Sequence, residues 1–564
     1  MDKSREVIVV GGGPVGLLSA LDLAWRDVPV TVLERRSDAD PAHPRCNTTS
    51  ARTMEFLRRL GFSERYRQAG LPPEYPTDVI YMTRINGIEI TRLRLPGSGD
   101  RFENDRIAHD SGWNSVERPH RSSQMFLERV LRAQAGAHPL IDIRFEHEVA
   151  GVTQHDGRVE VAFVNTASGV KGVLESRFVM ACDGGRSAIR RQLGIRMDGG
   201  TTGIGRVQSV LFRSPEVIDC FSVRPGWMNW VINRDVFGNI IPIDGRELWL
   251  THCMIPEGEE GVTAEQVDLQ IKQTLGREVA YEVIEIEPWV FSRVVAERYR
   301  EGNVFLAGDA AHAWPPYAGH GMNSGIEDGM TLSWMLAAVL KGWAPETLLD
   351  AYEAERRAAG LKISAAAEGM ATAQHQITQD PQLKMRTEAP GEEGAAVRRK
   401  IRNLLLDCDS QQFNAEGLNF GLQYDRSPVI CYDDGPPAPP FSVAEYHPST
   451  TPGCRAPHFA FVETGEPLVD RLGKDFSLLV SDDEVDISGI VAAAERCGMP
   501  LTVIDIAHEP RGQRYYDHAL VLVRPDQRIA WRSQTAPEDP AAIIARVRGD
   551  CSNSSIQPVS RSEP

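Results

Sequence analysis

Gly11-Gly12-Gly13-Pro14-Val15-Gly16 is a GxGxxG, and Glu34 stands at the end of the next apolar run. Glycines at this spacing let backbone approach a pyrophosphate at a helix N-terminus. A carboxylate placed like Glu34 accepts hydrogen bonds from an adenosine ribose. The pattern has meaning only after a strand, before a helix and with the acid ending the next strand; all three conditions hold here. A second group is Gly308-Asp309, followed by Pro315-Pro316 and Gly319-His320-Gly321-Met322-Asn323. Such a stiffened, glycine-rich loop leaves N–H groups free for a polar ring or a phosphate, and Asp309 suits a polyol. Alone, it reads equally as an ordinary loop. Asp183-Gly184-Gly185-Arg186-Ser187 reads as a strand-end turn before a basic helix start, which by itself is a solvated turn.

The elements that must carry these residues are legible. Glu6–Val10 is a β-branched run ending at glycines, Pro14–Arg26 a helix, and Val28–Glu34 a second buried strand. Ala51–Leu60 and Arg121–Ala135 are helical, and Arg177–Ala181 is a buried strand just before Asp183. Residues 205–295, with Phe221, Trp227, Trp230, Phe237, Trp249 and Trp289, predict a mostly antiparallel sheet. Val304–Ala307 is a strand, and Ile326, Met330, Trp334, Ala337 and Leu340 form a helical stripe after the loop. Residues 380–400 look like a surface connection, and 433–441 like a proline-rich linker. Beyond it, Phe476–Val480, Val485–Cys497, Leu501–Ile506, the hairpin His518–Val523 with Arg528–Arg532, and Pro540–Val547 follow the order of a thioredoxin-like domain.

Composition removes other classes. With 42% hydrophobic and 25% charged residues, the chain is neither disordered nor collagenous. Sixty-one basic against 78 acidic residues give −17, a surface that repels nucleic acid and anionic membranes. The nine cysteines show no CxxC spacing, which disfavours a disulfide scaffold, a zinc ribbon or a dithiol centre. No apolar run has the ~18 residues of a membrane span, and the N-terminus lacks a signal-peptide pattern, so a cytoplasmic location is expected. His312 and His320 fit no metal-ligand spacing, so no metal is expected. Glu355-Arg356-Arg357 reads as a solvated helix face.

Together the three groups resemble the FAD-dependent aromatic hydroxylases, the single-component flavin monooxygenases related to p-hydroxybenzoate and phenol hydroxylases. The resemblance implies an α/β architecture: a Rossmann-like FAD-binding domain (1–75, 110–200 and 295–375) and an inserted, mostly antiparallel substrate sheet (76–109 and 201–294). A helical connection (376–435), a thioredoxin-like domain (436–550) and a disordered tail (551–564) would complete the chain. It also implies NADH or NADPH as reductant and hydroxylation of a phenolic or similarly electron-rich ring through a flavin C4a-hydroperoxide. Carried onto this chain, the FAD contacts are Gly11, Gly13, Pro14, Val15, Gly16, Glu34 and Arg35, then Arg45, Gln124 and Asp183. Gly308, Asp309, Pro316, Gly319, Gly321, Met322 and Asn323 complete them. Arg45, Pro316 and His320 are the expected catalytic residues, and Trp230, Tyr317 and His320 the expected substrate contacts, with His320 or Tyr317 as a base. The expected partners are a small aromatic substrate and O2, and a homodimer is compatible.

The chain departs from the pattern in three places. Its C-terminal unit has no CxxC, His320 stands where relatives often have Gln, and Gly329 stands where they often have Ala. Other readings are a reductase or halogenase of the same fold, or a flavoprotein kept as an interaction module. Trp227-Met228-Asn229-Trp230-Val231-Ile232-Asn233 does not match the WxWxIP of halogenases.

Overall fold

The computed structural model describes residues 5–41, 43–99 and 113–550; the expected tail 551–564 and part of the 76–109 segment lie outside them. Three sheets organise the chain. In the first, Val304–Leu306, Lys171–Ala181, Arg5–Val10, Val30–Leu33 and Ile141–Arg144 run parallel in that spatial order. An antiparallel ribbon, His147–His155 and Arg158–Asn165, extends from Lys171–Ala181. The parallel strands are continuous apolar runs because helices cover the sheet. Pro14–Trp25 and His320–Leu340 pack together, and the predicted stripe Ile326, Met330, Trp334 and Ala337 is buried.

The second sheet has eight strands. It is antiparallel throughout except where Met228–Ile232 runs parallel to Val79–Met82. The helix Ala264–Leu275 packs on Phe237–Pro242 and Leu248–Ile255, and side chains alternate between the two faces of the sheet. This inserted sheet is the expected one.

The stretch 380–400, expected as a surface connection, is largely exposed and partly helical. Gly391–Phe413 is a helix laid against the strand Glu89–Leu93. Ile401 and Leu405 are buried with Trp227, and Phe413 meets the Trp227 ring edge-on at 5.9 Å. Val397, Ile401 and Leu405 recur every four residues, one face of a helix. Stopping the polar stretch at 400 cut that stripe in two.

The third sheet has the order Leu501–Asp505, Phe476–Val480, Leu520–Val523, Ile529–Ser533, one parallel and two antiparallel pairs. Its hairpin turn docks on the first unit. Arg52 donates to Gln527 Oε1 and to the Asp526 carbonyl. Arg524 grips Glu355 with both terminal nitrogens (2.5 and 2.8 Å), and Arg455 pairs with Glu55. All of these side chains are buried. Buried pairs add little net stability over apolar contacts, but losing one partner is severe. The docking is therefore specific in orientation.

Candidate active site

A cavity of about 1140 Å³ lies between the first sheet and the second. That exceeds the roughly 300–1,000 Å³ of a pocket for one drug-sized ligand, so it has room for a dinucleotide and a second molecule. One end is built by strand-to-helix turns. Gly11 has φ +109°, and a Cβ there would meet the Cys182 carbonyl oxygen at 2.3 Å. At Gly16 a Cβ would meet the Gly11 oxygen at 2.0 Å. These two glycines close the turn, whereas Gly13 has nothing within 4 Å on its Cβ side and opens to the cavity. The helix Pro14–Trp25 has no side-chain cap, so its N-terminus is left for an anion.

Glu34 stands behind this turn. Its Oε2 accepts from Gly12 N (2.6 Å) and its Oε1 from Arg36 N (2.9 Å), while exposed Arg35 reaches the cavity. Across the cavity, Asp183 caps the helix Ala188–Gln192 with Oδ2, and its buried Oδ1 has no partner among the described residues. Asp309 projects from the turn Gly308–Ala310 into the same space. Uncapped N–H groups, an open glycine face, an unpaired carboxylate oxygen and an acid at the far end fit the diphosphate, ribose and polyol of FAD.

The loop after Pro316 forms the cavity's middle. Pro316, Tyr317, Gly319, His320, Gly321 and Met322 line it, as do Arg45 and Gln124. Arg45 is half exposed and pairs with Glu287 of the sheet, and Gln124 donates to Glu128 Oε1 (2.7 Å). Asn323 does not reach the cavity. Its Oδ1 accepts from Ser50 N and Thr53 Oγ1, and its Nδ2 donates to the Thr48 and Gly319 carbonyls, so it clamps the loop from behind. Ala318 holds φ +55°, a conformation glycine adopts without strain.

His320 is 6% exposed. Its Nδ1 faces the Ala318 carbonyl at 2.8 Å, so Nδ1 carries the proton, and the buried Nε2 has no partner among the described residues. Burial pushes its pKa down to about 4. Tyr317 is less suited to the base role expected for it, because its hydroxyl already donates to Gln374 Oε1 (2.8 Å). Gln374 in turn donates to Tyr81. Trp230, an expected substrate contact, lines the cavity, stacked between Tyr81 (6.3 Å) and Phe237 (5.1 Å). Trp227, also at the cavity, is 3% exposed and belongs largely to the core.

The reading of Glu355-Arg356 as a solvated face is overturned, since both side chains are buried. Arg356 Nε donates to Asp328 Oδ1 (2.7 Å), and Asp328 Oδ2 accepts from His312 Nε2 (2.8 Å) and Gly308 N (3.1 Å). This cluster fixes the turn that presents Asp309. Sequence reasoning missed it, although the signal was there: Tyr352, Arg356, Ala359 and Ile363 share one helix face, and that face is apolar. Among the described residues no three His, Cys, Asp or Glu side chains gather into a metal site, and His312 is engaged by Asp328.

Burial also lowers His120 to about 3 and His252 to about 4, against an ordinary 6.5. The folded state then binds fewer protons than the unfolded state between about pH 6.5 and pH 4. Stability contributed by neutral burial is present above 6.5 and is lost as pH falls through this window. Unfolding midpoints measured from pH 7.5 to 4.5 should fall steadily below 6.5; a flat profile would contradict these assignments.

Residues 4–367 match the FAD binding domain family, and residues 449–550 match the aromatic-ring hydroxylase C-terminal family. The FAD-dependent monooxygenase apdD of Emericella nidulans is 30% identical over 96% of this chain and 90% of its own. Phenol 2-monooxygenase of a Pseudomonas species is 28% identical over 97% and 92%. The solved structure of RebC with bound 7-carboxy-K252c superposes with a TM-score of 0.86 at 28% identity, covering 97% of this chain and 99% of that one. The fold and the site define a flavoprotein with an FAD-binding unit and a cavity-forming sheet. The chain belongs to the family of FAD-dependent aromatic-ring monooxygenases. FAD is its cofactor, and its activity is flavin-dependent hydroxylation of an aromatic ring.

Glu34→Lys should weaken FAD binding strongly, because it removes the acceptor that anchors Gly12 N and puts a buried cation behind the turn that faces the cavity. FAD content after purification and reconstitution measures this; full FAD occupancy would refute the role.

Proposed function

We propose that the substrate is a phenol whose hydroxyl lies against His320 Nε2, and that NADH or NADPH reduces the flavin from the surface of the FAD unit. The observation that supports this is that His320 lines the cavity and that its buried Nε2, which bears the lone pair, has no partner among the described residues. FAD, when bound, supplies electron transfer and oxygen activation. The rest falls to the chain. Glu34, Arg35 and Asp309 orient the cofactor, Arg45 assists its reduction, and the loop Pro316–Met322 with the aromatic sheet keeps water out.

His320 handles the proton. Free phenols have far weaker acidity than an imidazolium of pKa about 4, so the resting site holds the neutral hydrogen-bonded pair. As the ring carbon takes the oxygen atom, electron density leaves the phenol oxygen and the hydroxyl becomes strongly acidic. The O–H bond then breaks toward Nε2 while C=O character forms. A weak base suffices, provided it is positioned at the right moment.

Screening phenolic compounds tests the proposal. The expected result is NAD(P)H oxidation stimulated by a subset of phenols, with a hydroxylated product. Substrate-independent oxidation, or stimulation only by non-phenolic compounds, would contradict it.

A further inference from the structure

The sheet side of the cavity carries an apolar stretch with an imidazole set into it, bordered by Arg206, Asn239 and Glu287. Met228, Trp230, Phe237 and Met254 line it together with His252. His252 lies on the strand Leu248–Ile255, beside Phe237–Pro242. The two strands pair at Ile241–Leu250 and Pro242–Trp249, and at His252 side chains take over from the ladder. Asn239, 2% exposed, accepts the His252 N–H on Oδ1 (3.0 Å), and Gln270 Nε2 donates to the His252 carbonyl (2.8 Å).

That bond fixes which way the Asn239 amide points. Oδ1 must face the backbone N–H, so the group 2.9 Å from His252 Nδ1 is the NH2, which can only donate. Nδ1 is therefore the acceptor, and the neutral ring carries its proton on Nε2. Burial holds the ring neutral. Its plane stands edge-on to Trp289 (5.8 Å, 89°), whose indole N–H is tied to Ser209 Oγ (2.8 Å). Nε2–H has no hydrogen-bond partner among the described residues. The half-buried ring lines the cavity, so this N–H is a donor available to a bound molecule.

We propose that His252 Nε2–H is a specificity-determining donor that accepts only ligands offering a proton-free oxygen, such as a ring carbonyl, at the sheet side of the cavity. This rests on the aromatic-substrate reading above and deepens it. His320 offers a lone pair and His252 a proton, so the fitting substrate carries a hydroxyl for one and an acceptor oxygen for the other: a hydroxylated aromatic ketone or quinone rather than a simple phenol.

The test measures binding without turnover. Oxidised holoenzyme is titrated with 1-naphthol and with 6-hydroxy-1,4-naphthoquinone, following the flavin absorbance. Wild type should bind the quinone at least about tenfold more tightly. His252→Leu should bring the two Kd values close together, chiefly by weakening the quinone. His252→Gln, which keeps an N–H donor, should retain part of the preference. A ratio unchanged in His252→Leu that still holds FAD, or no preference in wild type, overturns the His252 assignment while leaving the hydroxylase reading intact. If neither compound binds, the aromatic-substrate reading falls and this assignment with it.

Discussion

Arg356→Met should abolish the stable, FAD-loaded protein. Burial pushes the Asp328 carboxyl up, but Arg356 and His312 together hold it below its ordinary value. Arg356 also reaches Glu327, Tyr424 and the Ser324 carbonyl. Removing it leaves an uncompensated carboxylate in the interior, a loss of about 3–5 kcal/mol. The damage lands on function because the same carboxylate holds Gly308 N and His312, and with them the turn presenting Asp309. Lysine should not rescue, since one ammonium cannot span these four partners in the plane of a guanidinium. Thermal unfolding and FAD stoichiometry measure the effect. An Arg356→Met protein with unchanged midpoint and full FAD would show that the cluster is dispensable.

His320→Gln should lower the rate of product formation by about 10²-fold, the lower range for loss of a general base. FAD should stay bound and be reduced normally, because the change falls on proton transfer from the substrate. Hydrogen peroxide should rise as product falls. The amide can still accept a hydrogen bond but cannot take the proton. Unchanged coupling between NAD(P)H consumed and product formed would make His320 a loop residue beside the cofactor.

Much of this was legible in the chain because local rules decide it. The turn at Gly11–Gly16, Glu34, the Gly308-Asp309 turn and the stripe on His320–Leu340 each follow from spacing within one or two adjacent elements. The sheet was legible as a sheet, and Trp230 was already a candidate cavity residue, but His252 was not. It meets the cavity only because strands distant in sequence share a pleat register. The long-range pairs were hidden for the same reason. Arg356 with Asp328, Arg524 with Glu355 and Asn323 with Ser50 join residues far apart, and a charged residue looks solvated until its partner is known. The tautomers of His320 and His252 were out of reach, since each depends on what the other ring nitrogen touches.

The central claim is ring hydroxylation with O2 at this cavity. Turnover of an active phenolic substrate under isotopically labelled O2 in ordinary water, followed by mass spectrometry, tests it directly. The account predicts one labelled oxygen atom in the new hydroxyl group and none taken from water. Product oxygen derived from water, or NAD(P)H consumed with only hydrogen peroxide formed for every phenolic ligand that binds, would contradict it.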